Sequence, residues 1–183
     1  MTTLDNVRQR MEEALEAVRR EFATVRTGKA TPALLDTVRV DAYGSKMPLN
    51  QVATVSTPEA SMILVQPFDR TLLGEIEKGI QMASLGLNPS NDGNVIRVPV
   101  PPLNEERRRE YVKLLAQMAE EGRVSVRHAR RDGNDEVKKL QKEGEVSEDE
   151  ARRMSDEIQK LTDRYIGLVD ESLAAKEKDV MTV

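Results

Sequence analysis

Few residues in this sequence could carry out covalent chemistry. The chain has 183 residues, with one histidine, His128, and no cysteine. Thiol chemistry and disulfides are therefore absent, and a transition-metal site or a Ser-His-Asp triad has too few ligands or bases. His128 lies among arginines beside a predicted core position, which favours a solvated histidine at the rim of a helix. Carboxylates are abundant, but they fall on predicted solvent faces, and no pair is singled out for acid–base catalysis.

Cationic side chains form the most informative pattern. At about 100° per residue they share one sector of a predicted helix, centred roughly 120° from its apolar stripe. These cations are Arg123, Arg127, Arg130, Arg131 and Lys138. Arginine pairs bidentately with phosphate, so a row of this kind could follow a nucleic-acid backbone. The alternative is a solvated helix face with i to i+4 ion pairs, which the isoelectric point of about 5.3 favours.

The type of nucleic acid follows from the same composition. An acidic protein with one basic stripe binds where geometry keeps its carboxylates away, which favours a structured RNA pocket over a random strand. Aromatic residues make up 3% of the chain, which argues against recognition of single strands by base stacking. The run Arg107-Arg108-Arg109 is a second candidate contact.

The stripe needs long helices to position it. Apolar residues between Leu4 and Val25 recur at steps of three and four, which predicts a first amphipathic helix. Gly28 is its predicted C-cap, and Pro32 prevents the helix from continuing. A second helix is predicted to begin at Asn104 and to keep its apolar face as far as Leu140.

A third helix follows the interruption at Gly144. Ser147 and Glu150 have the spacing of a capping box, and apolar residues continue at helical spacing to Val180. Two of the three helices exceed 30 residues, so each is roughly 50 Å long. One apolar stripe per helix predicts an elongated three-helix bundle.

The middle of the chain has a different composition. All eight prolines fall between residues 30 and 103, where 12 of 74 residues are charged, against 48 of 109 in the flanks. This shift predicts a bundle domain of residues 1–29 and 104–183 and an inserted domain of residues 30–103. Short apolar runs and one helical pattern, over 72–83, predict a small module of strands with one helix, and 88–93 reads as a turn. The fold class is therefore α+β, with a hinge at 28–32 and 99–104.

No targeting or membrane segment is visible. The first 25 residues carry five acidic side chains and no continuous apolar run. No stretch approaches the roughly 20 apolar residues of a membrane span. We therefore expect a soluble intracellular protein, without a cofactor and without a reason to oligomerise.

Short motifs along essentially the whole chain resemble a known family. They include Arg26-Thr27-Gly28-Lys29-Ala30, Tyr43-Gly44, Phe68-Asp69, Leu85-Gly86-Leu87-Asn88-Pro89, Glu105-Glu106-Arg107-Arg108, Val126-Arg127, Arg130-Arg131-Asp132 and Gln159-Lys160-Leu161-Thr162-Asp163. Their order and spacing resemble those of the bacterial ribosome recycling factor family, also called the ribosome-releasing factor family.

The resemblance implies both a fold and a function. The fold is an elongated three-helix bundle with an inserted β/α/β domain, arranged as an L and joined by two hinge strands. The function is that of a cytoplasmic, monomeric translation factor that is not an enzyme. It releases ribosomes from mRNA after termination, splitting the post-termination complex of the 70S ribosome into subunits together with elongation factor G. GTP hydrolysis is carried out by that partner.

The resemblance also implies where ribosomal RNA binds. The family's bundle lies on large-subunit ribosomal RNA near the intersubunit bridges, mainly through arginines of the second helix. The predicted rRNA-binding residues here are Arg26, Lys29, Arg108, Arg123, Arg127, Arg130 and Arg131. The predicted hinge residues are Gly28, Ala30, Thr31, Pro32, Pro101, Pro102 and Leu103.

Four positions depart from the family pattern. His128 and Ala129 replace an asparagine and a larger aliphatic residue, and Lys29 replaces an arginine, which keeps the charge but loses bidentate geometry. Gly133 replaces an alanine, which predicts a cost of up to ~1 kcal/mol and looser local packing.

Two other function classes remain open from the residues alone. One is a helical adapter that uses its charged faces against another protein. The other is an enzyme with its site in the inserted domain, which has no histidine and few polar residues of catalytic type. Salt-sensitive binding to ribosomes separates the first alternative from RNA recognition, because phosphate contacts weaken steeply with salt.

Overall fold

The computed structural model describes residues 2–182, which form two compact units. One unit contains residues 2–27 and 104–182, and the other contains residues 28–103. In chain order the elements are α1 (Thr3–Thr24), β1 (Arg39–Ala42), β2 (Ser45–Pro48), α2 (Leu49–Val52), β3 (Ala53–Glu59), β4 (Met62–Pro67), α3 (Leu73–Met82), β5 (Ser90–Asn91), β6 (Ile96–Pro99), α4 (Glu105–Lys142) and α5 (Glu148–Met181). No helix within residues 2–182 is both long and apolar enough to cross a membrane.

Helices α1, α4 and α5 pack against one another as a three-helix bundle. Each buries one stripe of residues, as the sequence periodicity predicts. The fully buried side chains Met11, Leu15, Leu115 and Ile158 lie at its centre. At 1.5 Å per residue, α4 is about 57 Å long. The predicted α+β class with a three-helix bundle is confirmed.

Side-chain caps define where the second and third bundle helices begin. The Asn104 Oδ1 accepts the Arg107 N–H at 2.8 Å. At the start of α5 the Ser147 hydroxyl accepts the Glu150 N–H, and the Glu150 carboxylate accepts the Ser147 N–H. Both caps were predicted from the sequence, and both are confirmed.

The stabilising effect of the Glu150 carboxylate in the α5 capping box is expected to depend on pH. The hydrogen bond from the Ser147 backbone N–H, followed by that from its hydroxyl, lowers the pKa of Glu150 below its usual range. A carboxyl group whose pKa is lowered by folding stabilises the fold above its unfolded pKa, and this contribution disappears as pH falls through the folded value. We expect Glu150→Gln to unfold at lower urea than the wild type at pH 7, and the difference to shrink as pH falls below the ordinary range of a glutamate and through the lowered pKa of the folded state. A difference that is unchanged across this range would contradict this role.

The prediction that Gly28 caps the first helix is wrong. Helix α1 ends at Thr24, and Val25 is already extended, with φ −83° and ψ 124°. Val25 is buried, so leaving the helix at this point places its side chain in the core. Gly28 has a φ of +79°, a region that favours glycine, but it lies beyond the helix end.

Gly133 is packed tightly, so the prediction of looser packing is also wrong. It is buried on α4, and the side chain of Val7 from α1 fills the space that a Cβ would take. The Cδ1 of Ile158 on α5 lies 3.2 Å from the same point. At Gly122 the side chain of Val18 from α1 likewise fills the space that a Cβ would take. Glycine therefore allows α4 to approach α1 closely at two positions along the bundle.

The second unit is a small sheet packed on one helix. Strands β3, β4, β6 and β5 form an antiparallel four-stranded sheet in that order, and β1 pairs with β2 in a separate hairpin. Helix α3 buries Leu73, Ile76 and Ile80 in this unit's core. The strands and helix α3 follow the prediction. The segment 88–93, predicted as a turn, contains the edge strand β5, and the sequence did not predict the four-residue helix α2.

The two chain segments that enter and leave this unit are bound to the same turn. The Ala30 N–H donates to the Ala60 carbonyl at 2.7 Å, and the Val100 N–H donates to the Ser61 carbonyl at 2.8 Å. Gly28 lies against Leu103, whose Cγ is 3.3 Å from the point where a Cβ would be. The entering segment is therefore fixed to the unit from Ala30 onward, and the leaving segment is fixed up to Val100.

Candidate nucleic-acid interface

The predicted cations of α4 lie together on one face of that helix. Their helix is held by the buried stripe that includes Val126, Ala129 and Val137, so the opposite sector projects outward. An open surface depression of about 510 Å³ runs along this sector. It is lined by Val124, Arg127, His128, Arg130, Arg131, Asn134, Asp135 and Lys138. The structure therefore brings together Arg127, Arg130 and Arg131.

Arg130 and Arg131 are the cations of this face that are available to a ligand. Neither makes an ion pair or a side-chain hydrogen bond with any residue in 2–182. Arg131 is exposed, and Arg130 is half-buried with its neighbour Ala129 in the core. Two guanidinium groups held on a rigid helix without internal partners suit an extended anion such as a phosphate backbone.

Arg127 is on the same face but already has a partner. Its Nη1 lies 2.8 Å from the Oε1 of Glu120, two turns earlier on α4. The other carboxylate oxygen of Glu120 lies 3.0 Å from the Nη1 of Arg123. The hydrogen bond from Arg127, and then that from Arg123, lowers the pKa of Glu120, so the carboxylate is charged at neutral pH.

Arg123 connects two helices and is less accessible than the other arginines. Its Nε and Nη2 donate to Asp170 of α5 at 2.8 and 2.6 Å, and its side chain is 20% exposed. The hydrogen bond to Asp170 is the main reason that its pKa is raised. Geometry assigns Arg123 to holding α4 against α5, with only a minor part of its surface left for a ligand.

The remaining predicted contacts are dispersed. Arg108 is half-buried near the start of α4 and makes no ion pair within residues 2–182. Arg26 has two buried guanidinium nitrogens without a hydrogen-bond partner in the described structure. Lys29 is exposed and belongs to the other unit. None of the three lines the depression on α4.

The other side chains that could carry out chemistry are solvent-exposed or make local hydrogen bonds. His128 is exposed at the edge of the basic face, as predicted for a solvated histidine. Asp69 accepts from Thr71 and from the Tyr43 hydroxyl, and the hydrogen bonds from Thr71 are the largest reason that its pKa is lowered. No group of three or more His, Asp or Glu residues within 2–182 is arranged to hold a metal ion.

Sequence reasoning missed Glu120 and Asp170. The sequence does contain a signal for Glu120, because it precedes Arg123 by three residues and Arg127 by seven, which are both helical spacings. Asp170 lies 47 residues from Arg123, so only the packing of α4 on α5 brings the two together.

The structure is a three-helix bundle with an outward row of arginines on α4, and its chain carries a small sheet unit as an insertion. Comparisons with known proteins identify the family. The family model described as "Ribosome recycling factor" matches residues 18–181. The chain belongs to the ribosome recycling factor family, whose members are translation factors.

Individual members of the family are similar to this chain over almost its whole length. The ribosome-recycling factor of Rubrobacter xylanophilus is 53% identical over 180 residues, covering 98% of this chain and 97% of that protein. A solution structure of a ribosome recycling factor is 42% identical, with a TM-score of 0.75, covering 99% of this chain and 96% of that one.

A second structural comparison includes partners. It is a set of models for the T. thermophilus ribosome recycling factor and the E. coli elongation factor G bound to the E. coli post-termination complex. The matched chain is 44% identical with a TM-score of 0.62, and coverage is 100% of both chains.

Proposed function

We propose that this protein releases ribosomes from mRNA after termination by splitting the post-termination complex into subunits. It acts together with elongation factor G, and the GTP is hydrolysed by that partner and not by this chain. The family supports this role, and so does the comparison with a recycling factor and elongation factor G on a post-termination complex. We place its site of action in the cytoplasm and its working form as a monomer.

The observation that carries the proposal is the pair of unpartnered arginines on α4. We propose that Arg130 and Arg131, with Arg127 beside them, contact the phosphates of large-subunit ribosomal RNA near the intersubunit bridges. Arg108, Arg26 and Lys29 supply further contacts, and Arg123 positions the helix that carries the first three. A helix of about 57 Å held on two others keeps the arginines of α4 at fixed spacing, which suits a structured RNA surface.

We further propose that the two units are domains joined by a hinge at 28–32 and 99–104. The hydrogen bonds of Ala30 and Val100 to the turn at 60–61 tie those residues to the inserted domain. Thr31 precedes a 3-10 turn that begins at Pro32, which stiffens the same side. Bending is therefore expected mainly at Gly28 and Lys29 and at Pro101, Pro102 and Leu103. The L-shaped arrangement stays a prediction.

Subunit splitting tests the proposed function directly. Post-termination 70S complexes are mixed with this protein, elongation factor G and GTP, and subunit dissociation is followed by light scattering. We expect splitting only when all three are present, and none when a non-hydrolysable GTP analogue replaces GTP. Equal splitting without elongation factor G would contradict the proposed mechanism, and no splitting under any condition would contradict the function.

The salt dependence of ribosome binding distinguishes RNA recognition from the alternative of a protein-binding adapter. Co-sedimentation with 70S ribosomes is measured from low to high monovalent salt, because phosphate contacts give a linear loss of log affinity with log salt. A steep negative slope is expected for RNA binding. A flat dependence would favour binding to a protein surface.

A further inference from the structure

An acidic residue lies within the row of cations on α4. Glu120 precedes Arg127 by seven residues, so the two are about 20° apart around the helix axis. Its Oε1 accepts from Arg127 Nη1 at 2.8 Å, and its Oε2 accepts from Arg123 Nη1 at 3.0 Å. One carboxylate therefore occupies two cations of the proposed RNA-binding face.

The two arginines are held with different firmness. Arg123 has a second carboxylate, Asp170, and its side chain is 20% exposed. Arg127 is 44% exposed and has no other carboxylate partner within residues 2–182. Exposed ion pairs are weak and are screened by ions, so Arg127 is the cation that can exchange its carboxylate for a phosphate.

We propose that Glu120 is an internal competitor of phosphate for Arg127 and limits how tightly this face holds ribosomal RNA. This inference rests on the proposed function, because it names a regulator of the same RNA-binding face. A carboxylate and a phosphate both offer two oxygens to a guanidinium group, so they compete for the same donors. RNA gains Arg127 only by displacing Glu120.

The competition acts mainly on dissociation. When thermal motion lifts a phosphate from Arg127, Glu120 is close enough to recapture the guanidinium before the phosphate returns. Each recapture removes one contact of the complex, and affinity differences between variants of one interface are mostly differences in dissociation rate. A factor that must leave its binding site after each round gains from such a competitor.

Paired substitutions at neighbouring residues test this proposal. Glu120→Gln and Glu121→Gln make the same change in net charge one residue apart, but the Glu121 carboxylate accepts from Gln117 and, within residues 2–182, from no arginine. We expect Glu120→Gln to bind purified 23S ribosomal RNA about threefold more tightly than Glu121→Gln, mainly through slower dissociation. Equal affinities would overturn the proposal. Matching far-ultraviolet circular dichroism and thermal melting show that both variants are folded.

A second pair of variants identifies the arginine involved. In an Arg127→Ala background, Glu120→Gln and Glu121→Gln should bind equally, because the guanidinium group for which Glu120 competes is absent. A difference that persists in this background would assign the effect to Arg123 and overturn the role given to Arg127.

The use of isolated RNA keeps this test separate from the proposed function. A threefold difference on 23S ribosomal RNA supports the competitor even where subunit splitting fails, in which case only the function is wrong. Normal splitting with no difference between the two glutamate variants overturns the competitor and leaves the function in place.

Discussion

Replacing Gly122 with alanine is expected to lower the free energy of unfolding by about 1–2 kcal/mol, although alanine is the better helix former by up to ~1 kcal/mol. Gly122 is buried on α4, and an added Cβ would overlap the Cγ2 of Val18 on α1. Val18 is itself buried, and as a β-branched residue in a helix it has little rotamer freedom. The helices would have to separate, which loosens contacts along the bundle.

Gly167 on α5 is the matched control. A Cβ at this position would have no neighbour within 4 Å in the described part of the chain, so Gly167→Ala should raise the free energy of unfolding by up to about 1 kcal/mol. Both variants are measured by urea denaturation, with the slope checked for two-state behaviour. The same substitution is therefore expected to lower the free energy of unfolding at Gly122 and to raise it at Gly167. A Gly122→Ala protein as stable as wild type would contradict the close helix contact.

A double variant tests the partner. Val18→Ala alone should cost about 1–3 kcal/mol through lost packing, but it also vacates the space that the alanine at position 122 would need. The Gly122→Ala/Val18→Ala protein should therefore be more stable than the sum of the two single effects predicts. Additive losses would show that the clash lies elsewhere.

The beginnings of the bundle helices were predictable because their signals are local. Asn104 and Ser147 act on N–H groups only three residues away, and the apolar period is read within a few turns. The end of α1 was not predictable in this way. The burial of Val25 outweighs the general preference for glycine at a helix end, and that burial depends on contacts distant in sequence.

The tight packing at Gly133 shows the same limit. From the sequence alone, glycine in a helix is expected to lower stability relative to alanine, because only the intrinsic helix propensity can be considered. The structure adds Val7 from another helix in the space beside it, so a Cβ there carries a steric cost that opposes the gain in propensity. Short elements such as α2 and β5 were missed because four and two residues are too few to show a period.

For the candidate site, the sequence predicted which face of α4 carries the arginines, but not which of them are free of carboxylate partners. The 100° spacing correctly placed Arg127, Arg130 and Arg131 on one outward face. Which of them are free depends on carboxylates, and the partner of Arg123 on α5 is 47 residues away. The alternative of a solvated face predicted ion pairs at a spacing of four residues, whereas Glu120 pairs with Arg123 and Arg127 at spacings of three and seven.

These features connect the packing of the bundle with its proposed function. The glycines at 122 and 133 hold α4 close to α1 along the stretch that carries Arg123, Arg127, Arg130 and Arg131. Because the backbone of this stretch is fixed against α1, only the arginine side chains, and not the helix that carries them, lose conformational entropy on binding. The stability of the bundle is therefore expected to influence RNA affinity even where no contact residue is changed.

Removing both unpartnered arginines is expected to have the largest effect on binding. Arg130→Ala/Arg131→Ala should weaken binding to 70S ribosomes by at least about 100-fold at low salt, because each lost charge-assisted hydrogen bond is worth about 1.5–3 kcal/mol. The dependence of log affinity on log salt should also become shallower by about 1.4 to 1.8, the amount expected for two phosphate contacts. Co-sedimentation over a salt series measures both quantities.

Arg152→Ala/Arg153→Ala is the control with the same change in net charge. These arginines are exposed in the first turns of α5, and Arg152 pairs with Glu148 at 3.5 Å. The control should lose no more than a few-fold in affinity and should keep the wild-type salt slope, because a distant charge contributes only a screened, long-range attraction. Equal losses in the two double variants would mean that net charge, and not the position of Arg130 and Arg131, determines binding. A loss confined to the first variant, with its helix content intact, assigns those two arginines to the phosphate contacts, since alanine is the strongest helix former and preserves α4.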